Sequence, residues 1–280
     1  MLKRENVILR DPFILPVLEE KAYYLYGTNH TLDFPYGKGR GFACYRSADL
    51  QEWEGPITIF EPPQEFAETI EFWAPEGHEY QGAYYLFATF HPKDANRGTW
   101  ILRSERPDGP FVIWSRGAVT PPEWMCLDGT LFIEEDGSPW MVFCHEWVQI
   151  GDGTICAMPL TADLREADGD PVELFAGSSA PWGRPYPKDA HVTDGPFLFW
   201  EKDRLKMLWS SFGEYGYAMG LAESESGRVT GPWRQNETPL FAEDGGHGMR
   251  FRTFDGQLMA TVHQPNGGNI EHPVFLSWNV

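Results

Sequence analysis

The sequence is poor in basic residues. Its 280 residues include 22 Lys and Arg against 41 Asp and Glu, which gives a formal net charge of −19 at pH 7. A chain of this charge repels phosphate backbones and anionic lipid headgroups. We therefore expect neither a nucleic acid nor a membrane as a partner.

Long apolar runs are also missing. The first residues, MLKRENVILRDPF, contain no stretch that fits a signal peptide, and no later segment approaches the roughly 20 apolar residues of a membrane-spanning helix. If Met1 is the native start, the sequence predicts a cytoplasmic protein.

Cysteine is scarce, and sustained helical periodicity is absent. The four cysteines form no Cys-x-x-Cys pair, and three of them lie in apolar, strand-like runs. Free cysteine is among the most buried residue types, so we expect four reduced, buried thiols.

A short pattern recurs along the chain. YYLYGTNH at 23–30 returns as YYLFATFHP at 84–92, and three further runs fill the same slot. The five copies recur roughly every 50 to 70 residues, close to the period of a four-stranded propeller blade. The aligned positions are Tyr24, Tyr85, Met141, Met207 and Met259.

The segments around each copy repeat as well. A short run and a turn rich in Gly, Asp or Glu precede the slot, and a third strand and often a fourth follow it. One blade cannot bury both of its faces, so five must close into a ring. We predict an all-β fold, a single five-bladed β-propeller over residues 1–280 with about four antiparallel strands per blade.

In such a ring the first strand of each blade begins, and the second strand ends, at the same end of the central channel. An Asp before Gly or Pro is also common in turns, and a lone His at a strand end often serves only as a hydrogen-bonding group. Three aspartates at equivalent inner-strand positions of blades one, three and four would raise one another's pKa, a cost that a structural channel has no reason to carry. The residues expected at this end are Asp11, Trp73, Glu76, Asp128, Asp194 and His247 from first strands, and Asn29, His30, His91, His145, Glu146, His263 and Gln264 from second strands.

Paired carboxylates beside an aromatic wall suit the cleavage of a glycosidic bond. One carboxylate activates water, a second carboxylic acid protonates the leaving oxygen, and a flat ring stacks on the sugar. Trp73, Trp147, Trp209 and Phe90 are the candidate wall. The candidate substrate-binding residues are Trp73, His30, His91, His145, Trp209 and His263.

Five motifs in this order resemble the successive blade signatures of glycoside hydrolase family 43: RDPFI at 10–14, FWAPE at 72–76, LDGTLFIEEDG at 127–137, DGPFLF at 194–199 and GHG at 246–248. That family consists of five-bladed, inverting enzymes that act mostly on arabinose- and xylose-containing glycans. The resemblance implies that Asp11 is the general base, that Asp128 tunes the pKa of the acid and orients it, and that Asp194 is the general acid.

One departure concerns the acid. The family usually has glutamate before Gly-Pro, whereas this chain has the shorter Asp194, and proton transfer needs hydrogen-bond reach of about 2.6–3.2 Å. Three interpretations follow: a more deeply seated substrate, Glu146 as the alternative acid, or an inactive sugar-binding descendant.

His247 resembles the family's central histidine, which lies near the channel axis and contacts water or a bound cation such as calcium. A strained turn is the other interpretation of GHG. We expect no cofactor in the chemistry.

The expected substrate is a small oligosaccharide, since a cytoplasmic enzyme does not meet a cell-wall polymer. The loops His30–Gly41 and His91–Gly98 lie where they could close one end of the channel. We therefore predict an exo-acting α-L-arabinofuranosidase or β-xylosidase. The alternatives are an endo-arabinanase or a galactosidase of the same family, or a non-catalytic sugar-binding propeller.

Overall fold

Each repeat in the sequence folds into one antiparallel sheet. The structure, a computed structural model, describes residues 1–278. Its five large sheets surround one axis as the blades of a β-propeller, which confirms the predicted fold class. Blades two, three and four have the expected four strands, whereas blade one has five and blade five has three.

Blades one and two occupy the first 113 residues. The extra strand of blade one, β1, pairs with the outer strand β7, and β4 and β5 form a separate small hairpin. The strands are β1 (Leu2–Lys3), β2 (Arg10–Val17), β3 (Ala22–Thr28), β4 (Asp33–Phe34), β5 (Gly37–Lys38), β6 (Phe42–Ser47), β7 (Glu52–Phe60), β8 (Glu71–Tyr80), β9 (Ala83–His91), β10 (Gly98–Ser104) and β11 (Val112–Ile113).

Blades three, four and five follow the same order from the axis outward. Helices in the described part of the chain are short: the α-helix α1 (Trp147–Ile150) and 3-10 turns at Arg4–Asn6, Gln64–Phe66 and Gly177–Ser179. No helix in residues 1–278 is long and apolar enough to cross a membrane. The strands are β12 (Cys126–Ile133), β13 (Pro139–His145), β14 (Thr154–Pro159), β15 (Val172–Ala176), β16 (Asp194–Glu201), β17 (Arg204–Gly213), β18 (Gly216–Ser224), β19 (Trp233–Gln235), β20 (Gly246–Arg252), β21 (Leu258–Gln264) and β22 (His272–Ser277).

The core lies between neighbouring blades. Aromatic rings such as Phe42, Phe72 and Phe90 fill the space between blades one and two, with ring centroids 5.1 to 6.1 Å apart. All four cysteines are free and buried, as the sequence predicts. Burial of this apolar surface supplies the main driving force for closing the ring.

Blades one and five meet without sharing a sheet. The Leu9 amide donates to the Glu271 carbonyl at 2.8 Å, and the Arg10 guanidinium lies 3.1 Å from the Glu271 carboxylate. Tyr23 stacks on Phe254 with centroids 4.2 Å apart, and its hydroxyl accepts a hydrogen bond from the Phe254 amide. One backbone hydrogen bond and several side-chain contacts therefore join blades one and five and close the ring.

Every innermost strand has a bulge at the same place. The register shifts there, and one residue adopts a positive φ between 43° and 57°. A bulge of this kind turns the backbone and re-aims the side chain. The bulge residues are Asp11, Ala74, Asp128, Gly195 and His247.

The amide of each bulge residue donates to a side chain of the preceding blade, so five hydrogen bonds circle the axis. The acceptor lies on the second strand of that blade in four cases, whereas Gly195 donates to Asp128, itself a bulge residue. The pairs are Asp11 with His263 Nδ1 (3.2 Å), Ala74 with Thr28 Oγ1 (2.7 Å), Asp128 with Thr89 Oγ1 (3.0 Å), Gly195 with Asp128 Oδ2 (3.0 Å) and His247 with Ser210 Oγ (2.8 Å).

The bulges correct one expectation about the aspartates. Asp11 and Asp128 occupy the bulge position, but Asp194 precedes it and Gly195 takes that place in blade four. The motif DGP thus stands one residue out of step with RDP and LDG. Asp194 was wrongly predicted to be equivalent to the other two, and its carboxyl approaches the axis from a different direction along the strand.

This ring of hydrogen bonds predicts a stability difference between two buried threonines. Replacement of Thr89 by Val should lower the free energy of unfolding by about 1–3 kcal/mol, because it leaves the Asp128 amide buried without an acceptor. The control is Thr261→Val in blade five: the Thr261 hydroxyl is equally buried but has no hydrogen-bond partner within residues 1–278. Urea unfolding of both variants measures the difference, and equal losses would contradict the assignment.

Candidate active site

A cavity of about 430 Å³ opens at the end of the ring where the innermost strands begin. Four carboxyl groups from three blades line it, those of Asp11, Asp128, Glu146 and Asp194. The structure therefore brings together all the acidic residues that the sequence nominated for catalysis.

Asp11 is held by contacts that favour its charged form. Its Oδ2 accepts a hydrogen bond from the Thr28 hydroxyl at 2.6 Å, and its Oδ1 lies 3.2 Å from His247 Nδ1 and 3.8 Å from Arg10 Nε. Burial by itself would raise the pKa of Asp11, but His247, Arg10 and Thr28 outweigh it and hold that pKa below its ordinary value. Asp11 is thus an ionised carboxylate at neutral pH.

His263 lies behind Asp11 and is fully buried. Its Nδ1 accepts the Asp11 amide, and its Nε2 lies 3.1 Å from Asn266 Oδ1. The backbone N–H of Asp11 can only donate, so Nδ1 carries no proton, Nε2–H donates to Asn266 Oδ1, and the ring is neutral. Burial accordingly lowers the pKa of His263 to about 4. The prediction that His263 contacts a sugar is wrong, because the ring instead supports the backbone of Asp11.

Asp128 and His247 lie at the centre of the ring. His247 Nδ1 is 3.2 Å from Asp11 Oδ1 and 3.6 Å from Asp128 Oδ2, so it bridges the two carboxyl groups. Burial, with the charge of Asp11 as a second cause, raises the pKa of Asp128 well above its ordinary value. His247 Nε2 is buried and has no hydrogen-bond partner within the described residues.

Asp194 accepts one hydrogen bond from the phenol of Tyr217, which reaches its Oδ2 at 2.8 Å from strand β18. The buried surroundings, and next the charge of Asp128, raise the pKa of Asp194 to about 7. Part of the Asp194 side chain still faces the cavity. The cavity therefore holds one carboxyl group whose pKa is lowered, Asp11, and one whose pKa is raised to about 7, Asp194.

Glu146 is engaged by a buried arginine. The Arg97 guanidinium donates to Glu146 Oε2 and, through Nε at 2.6 Å, to Glu71 Oε2, which also lies 2.8 Å from His91 Nδ1. Burial raises the pKa of Glu146, and Arg97 opposes that rise. The Arg97 guanidinium carbon lies 4.4 Å from the centre of the Trp73 ring, so this network supports Trp73 from outside the cavity.

The other predicted sugar contacts divide into two groups. Trp73, Trp147 and His30 line the cavity, whereas His91 and His145 lie outside its lining. His145 stacks on Trp124 with centroids 4.2 Å apart. The predicted aromatic wall was wrong at two residues, because Trp209 and Phe90 are fully buried between blades.

Five polar or aromatic lining residues were not nominated from the sequence. Arg10 adjoins Asp11 and could have been found as its neighbour. Tyr186 lies in the segment between blades three and four and Tyr217 on a third strand, positions that a search of strand ends does not cover. Phe212 lies at the end of second strand β17 and Asn266 two residues after second strand β21, so that search could have found both. The five are Arg10, Tyr186, Phe212, Tyr217 and Asn266.

The two loops that were expected to close the channel lie mostly away from the cavity. Of the loop His30–Gly41, only His30 lines the cavity within the described chain. This loop instead contacts the segment 64–67. The Tyr36 hydroxyl donates a hydrogen bond to Gln64 Oε1 at 3.2 Å, and the Arg40 guanidinium donates one to the Ala67 carbonyl at 3.3 Å. No residue of the loop His91–Gly98, all of which is described, lines the cavity.

Known proteins share this architecture. The chain is 40% identical to an endo-arabinase from Bacteroides thetaiotaomicron VPI-5482, whose solved structure matches with a TM-score of 0.92 over 100% of this chain and 97% of that one. A thermostable family-43 glycoside hydrolase matches at 23% identity with a TM-score of 0.80, over 96% of this chain and 88% of that one, and supports the fold alone.

A curated relative matches over a shorter stretch. The chain is 25% identical over 155 residues to the extracellular endo-alpha-(1->5)-L-arabinanase 1 of Bacillus subtilis (strain 168). That match covers 51% of this chain and 45% of the relative, so it spans less than half of the relative's length.

The family model "Glycosyl hydrolases family 43" matches residues 6–274, which include all five motifs and all four cavity carboxyl groups. The chain therefore belongs to glycosyl hydrolase family 43 and is a glycosidase.

Proposed function

We propose that this protein hydrolyses α-(1→5)-linked arabinan chains with inversion of the anomeric carbon. The observation that carries the proposal is that one cavity holds two carboxyl groups in opposite surroundings: Asp11 faces His247 and Arg10, which lower its pKa, and Asp194 is buried beside Asp128, which raises its pKa to about 7. An inverting glycosidase needs such a base and such an acid on opposite sides of the scissile bond. The relatives named endo-arabinase and endo-arabinanase support arabinan as the polymer.

The chemistry follows from these two groups. Asp11 accepts a proton from a water molecule, whose oxygen forms a bond to the anomeric carbon from one face. Asp194 donates its proton to the glycosidic oxygen as the bond between that oxygen and the anomeric carbon breaks on the other face. One displacement inverts the centre, and the two carboxyl groups exchange protonation states.

Asp128 acts on the acid through the backbone. Its Oδ2 accepts the amide of Gly195, the residue directly after Asp194, and so positions the start of strand β16. Burial, and next Asp128, raise the pKa of Asp194 to about 7, so a large fraction of the acid is protonated near neutral pH.

We propose that any cation near the axis is held by water molecules and not directly by side chains. Within residues 1–278, no three His, Cys, Asp or Glu side chains gather as ligands of one metal ion. His247 Nε2 is a single orphaned nitrogen, which suits a water molecule, whereas calcium takes six to eight oxygen ligands. A calcium ion there would bind through its water shell and add positive charge near Asp128, and the two-carboxyl chemistry needs no metal.

The predicted cleavage pattern is internal. Only His30 of the two candidate closing loops lines the cavity, which leaves its ends open to a longer chain. Linear arabinan should therefore give a ladder of oligosaccharides at early times, with inverted anomers visible by NMR. Monosaccharide from the first minutes would instead support the exo-acting arabinofuranosidase or, with xylan-derived substrates, the xylosidase. Net retention would overturn the assignment of Asp11 as base.

The identity of the acid is tested by leaving-group rescue. Asp194→Ala should lower kcat on arabinan by about 100-fold or more, yet recover much of its activity on a nitrophenyl arabino-oligosaccharide, whose leaving group needs no proton. Glu146→Ala is the comparison, because it removes a cavity carboxyl group that is already bound to Arg97. Rescue of Glu146→Ala but not of Asp194→Ala would assign the acid to Glu146.

The pH profile should have an alkaline limb near pH 7. Asp194 must be protonated, so the rate should fall about tenfold per pH unit above its pKa of about 7. Tyr217→Phe removes a hydrogen bond that stabilises the Asp194 carboxylate, so this limb should move to higher pH.

Tyr26→Phe is the matched control for that shift. It removes another buried phenol, which donates to the Pro107 carbonyl at 2.6 Å away from the cavity. Its pH profile should equal that of the wild type. If the alkaline limb of Tyr217→Phe does not move, Tyr217 does not affect the pKa of the general acid.

A further inference from the structure

A row of aromatic rings joins the protein surface to Asp194. Tyr186 packs on Phe212 with centroids 4.1 Å apart, and Phe212 meets Tyr217 edge-on at 5.4 Å. The Tyr217 phenol then donates to Asp194 Oδ2 at 2.8 Å. Tyr186, Phe212 and Tyr217 all line the cavity, so the row forms the cavity wall on the side of Asp194.

The outermost ring of this wall is exposed but held in place. Tyr186 is 54% exposed, yet its amide donates to the Ala190 carbonyl at 2.7 Å, and the nearby Arg184 amide donates to the Phe212 carbonyl at 2.8 Å. A single exposed aromatic residue is ordinary. A fixed one that also lines a cavity offers a flat, prepared face to a ligand.

The segment that carries Tyr186 is anchored in the core. Trp182 is buried and packs on Trp209 with centroids 5.1 Å apart. Its ring lies over Gly220, where a Cβ atom would approach Trp182 to 2.2 Å. Because glycine leaves this space free, Trp182 fits between blades and limits the movement of the segment that follows it.

The position of Asp194 tells which part of the substrate this wall meets. A general acid contacts the glycosidic oxygen, and the sugar beyond that oxygen is the leaving group. The wall next to the acid therefore faces the leaving-group side of the scissile bond. Near Asp11 the lining is polar, with Arg10, His30 and Asn266. Of the aromatic wall, Tyr217 also reaches this region, since its ring stacks on His263 behind Asp11 with centroids 5.6 Å apart.

We propose that Tyr186, supported by Phe212, is the stacking platform for the leaving-group sugar. The inference rests on the proposed function, since it takes Asp194 as the acid and arabinan as the substrate. Tyr186 then determines how much the sugars beyond the cleaved bond contribute to kcat/KM. The sugar on the Asp11 side binds independently of Tyr186.

The test compares two substrates that share the same non-leaving part. Arabinotetraose carries sugars on the leaving-group side, whereas arabinobiosyl fluoride has a leaving group with no ring to stack. Tyr186→Ala should lower kcat/KM on arabinotetraose by about tenfold and leave kcat/KM on the fluoride within twofold of the wild type. Tyr186→Trp should keep the activity on arabinotetraose, because it retains a flat ring.

Tyr215→Ala is the matched control, since Tyr215, which lies between Phe212 and Tyr217 in the sequence, is 75% exposed but does not line the cavity. It should match the wild type on both substrates. Equal losses on both substrates with Tyr186→Ala, or no loss on either, would overturn the platform. A wild-type enzyme that cleaves neither substrate would overturn the proposed function, and the inference with it.

Discussion

The catalytic end of this propeller depends on one backbone constraint, the positive-φ bulge in each innermost strand. Four of the five bulge residues are not glycine, and such a conformation costs on the order of 1–3 kcal/mol each. Each bulge turns one amide toward the preceding blade, where a side chain accepts it. The hydrogen bonds offset part of the strain, link all five blades around the axis, and point Asp11 and Asp128 into the same cavity.

The same geometry separates the protonation states of the carboxyl groups. Asp11 receives the Thr28 hydroxyl and faces Arg10, so its charge is compensated although it is buried. Asp194 receives only a neutral phenol and lies beside Asp128, so burial dominates its pKa. The one-residue offset between DGP and the other motifs therefore accompanies an electrostatic difference: the third carboxyl group receives a neutral phenol, whereas Asp11 faces a guanidinium group.

The acid and base sides of the cavity also differ in their walls. Around Asp11 the lining is polar, with Arg10, His30 and Asn266, whereas the rings of Tyr217, Phe212 and Tyr186 lead from Asp194 to the solvent. Polar groups fix the orientation of a sugar through hydrogen bonds to its hydroxyls. Aromatic faces bind it through apolar contact area and restrict its orientation less. The anchored segment that follows Trp182 contributes Tyr186 to that surface and belongs to no blade, whereas Phe212 and Tyr217 lie on strands β17 and β18 of blade four.

The sequence by itself determined the five blades, the family and the identity of the three aspartates, because strand periodicity and short motifs are local properties of the chain. It also predicted Trp73 and His30 at the cavity. Only the tertiary structure decided that Trp209 and His263 are buried, that Arg97 binds Glu146, and that Tyr217 contacts Asp194. These contacts join residues from different strands or blades, and strand twist, bulge register and packing between blades set them, none of which the local pattern of residues encodes.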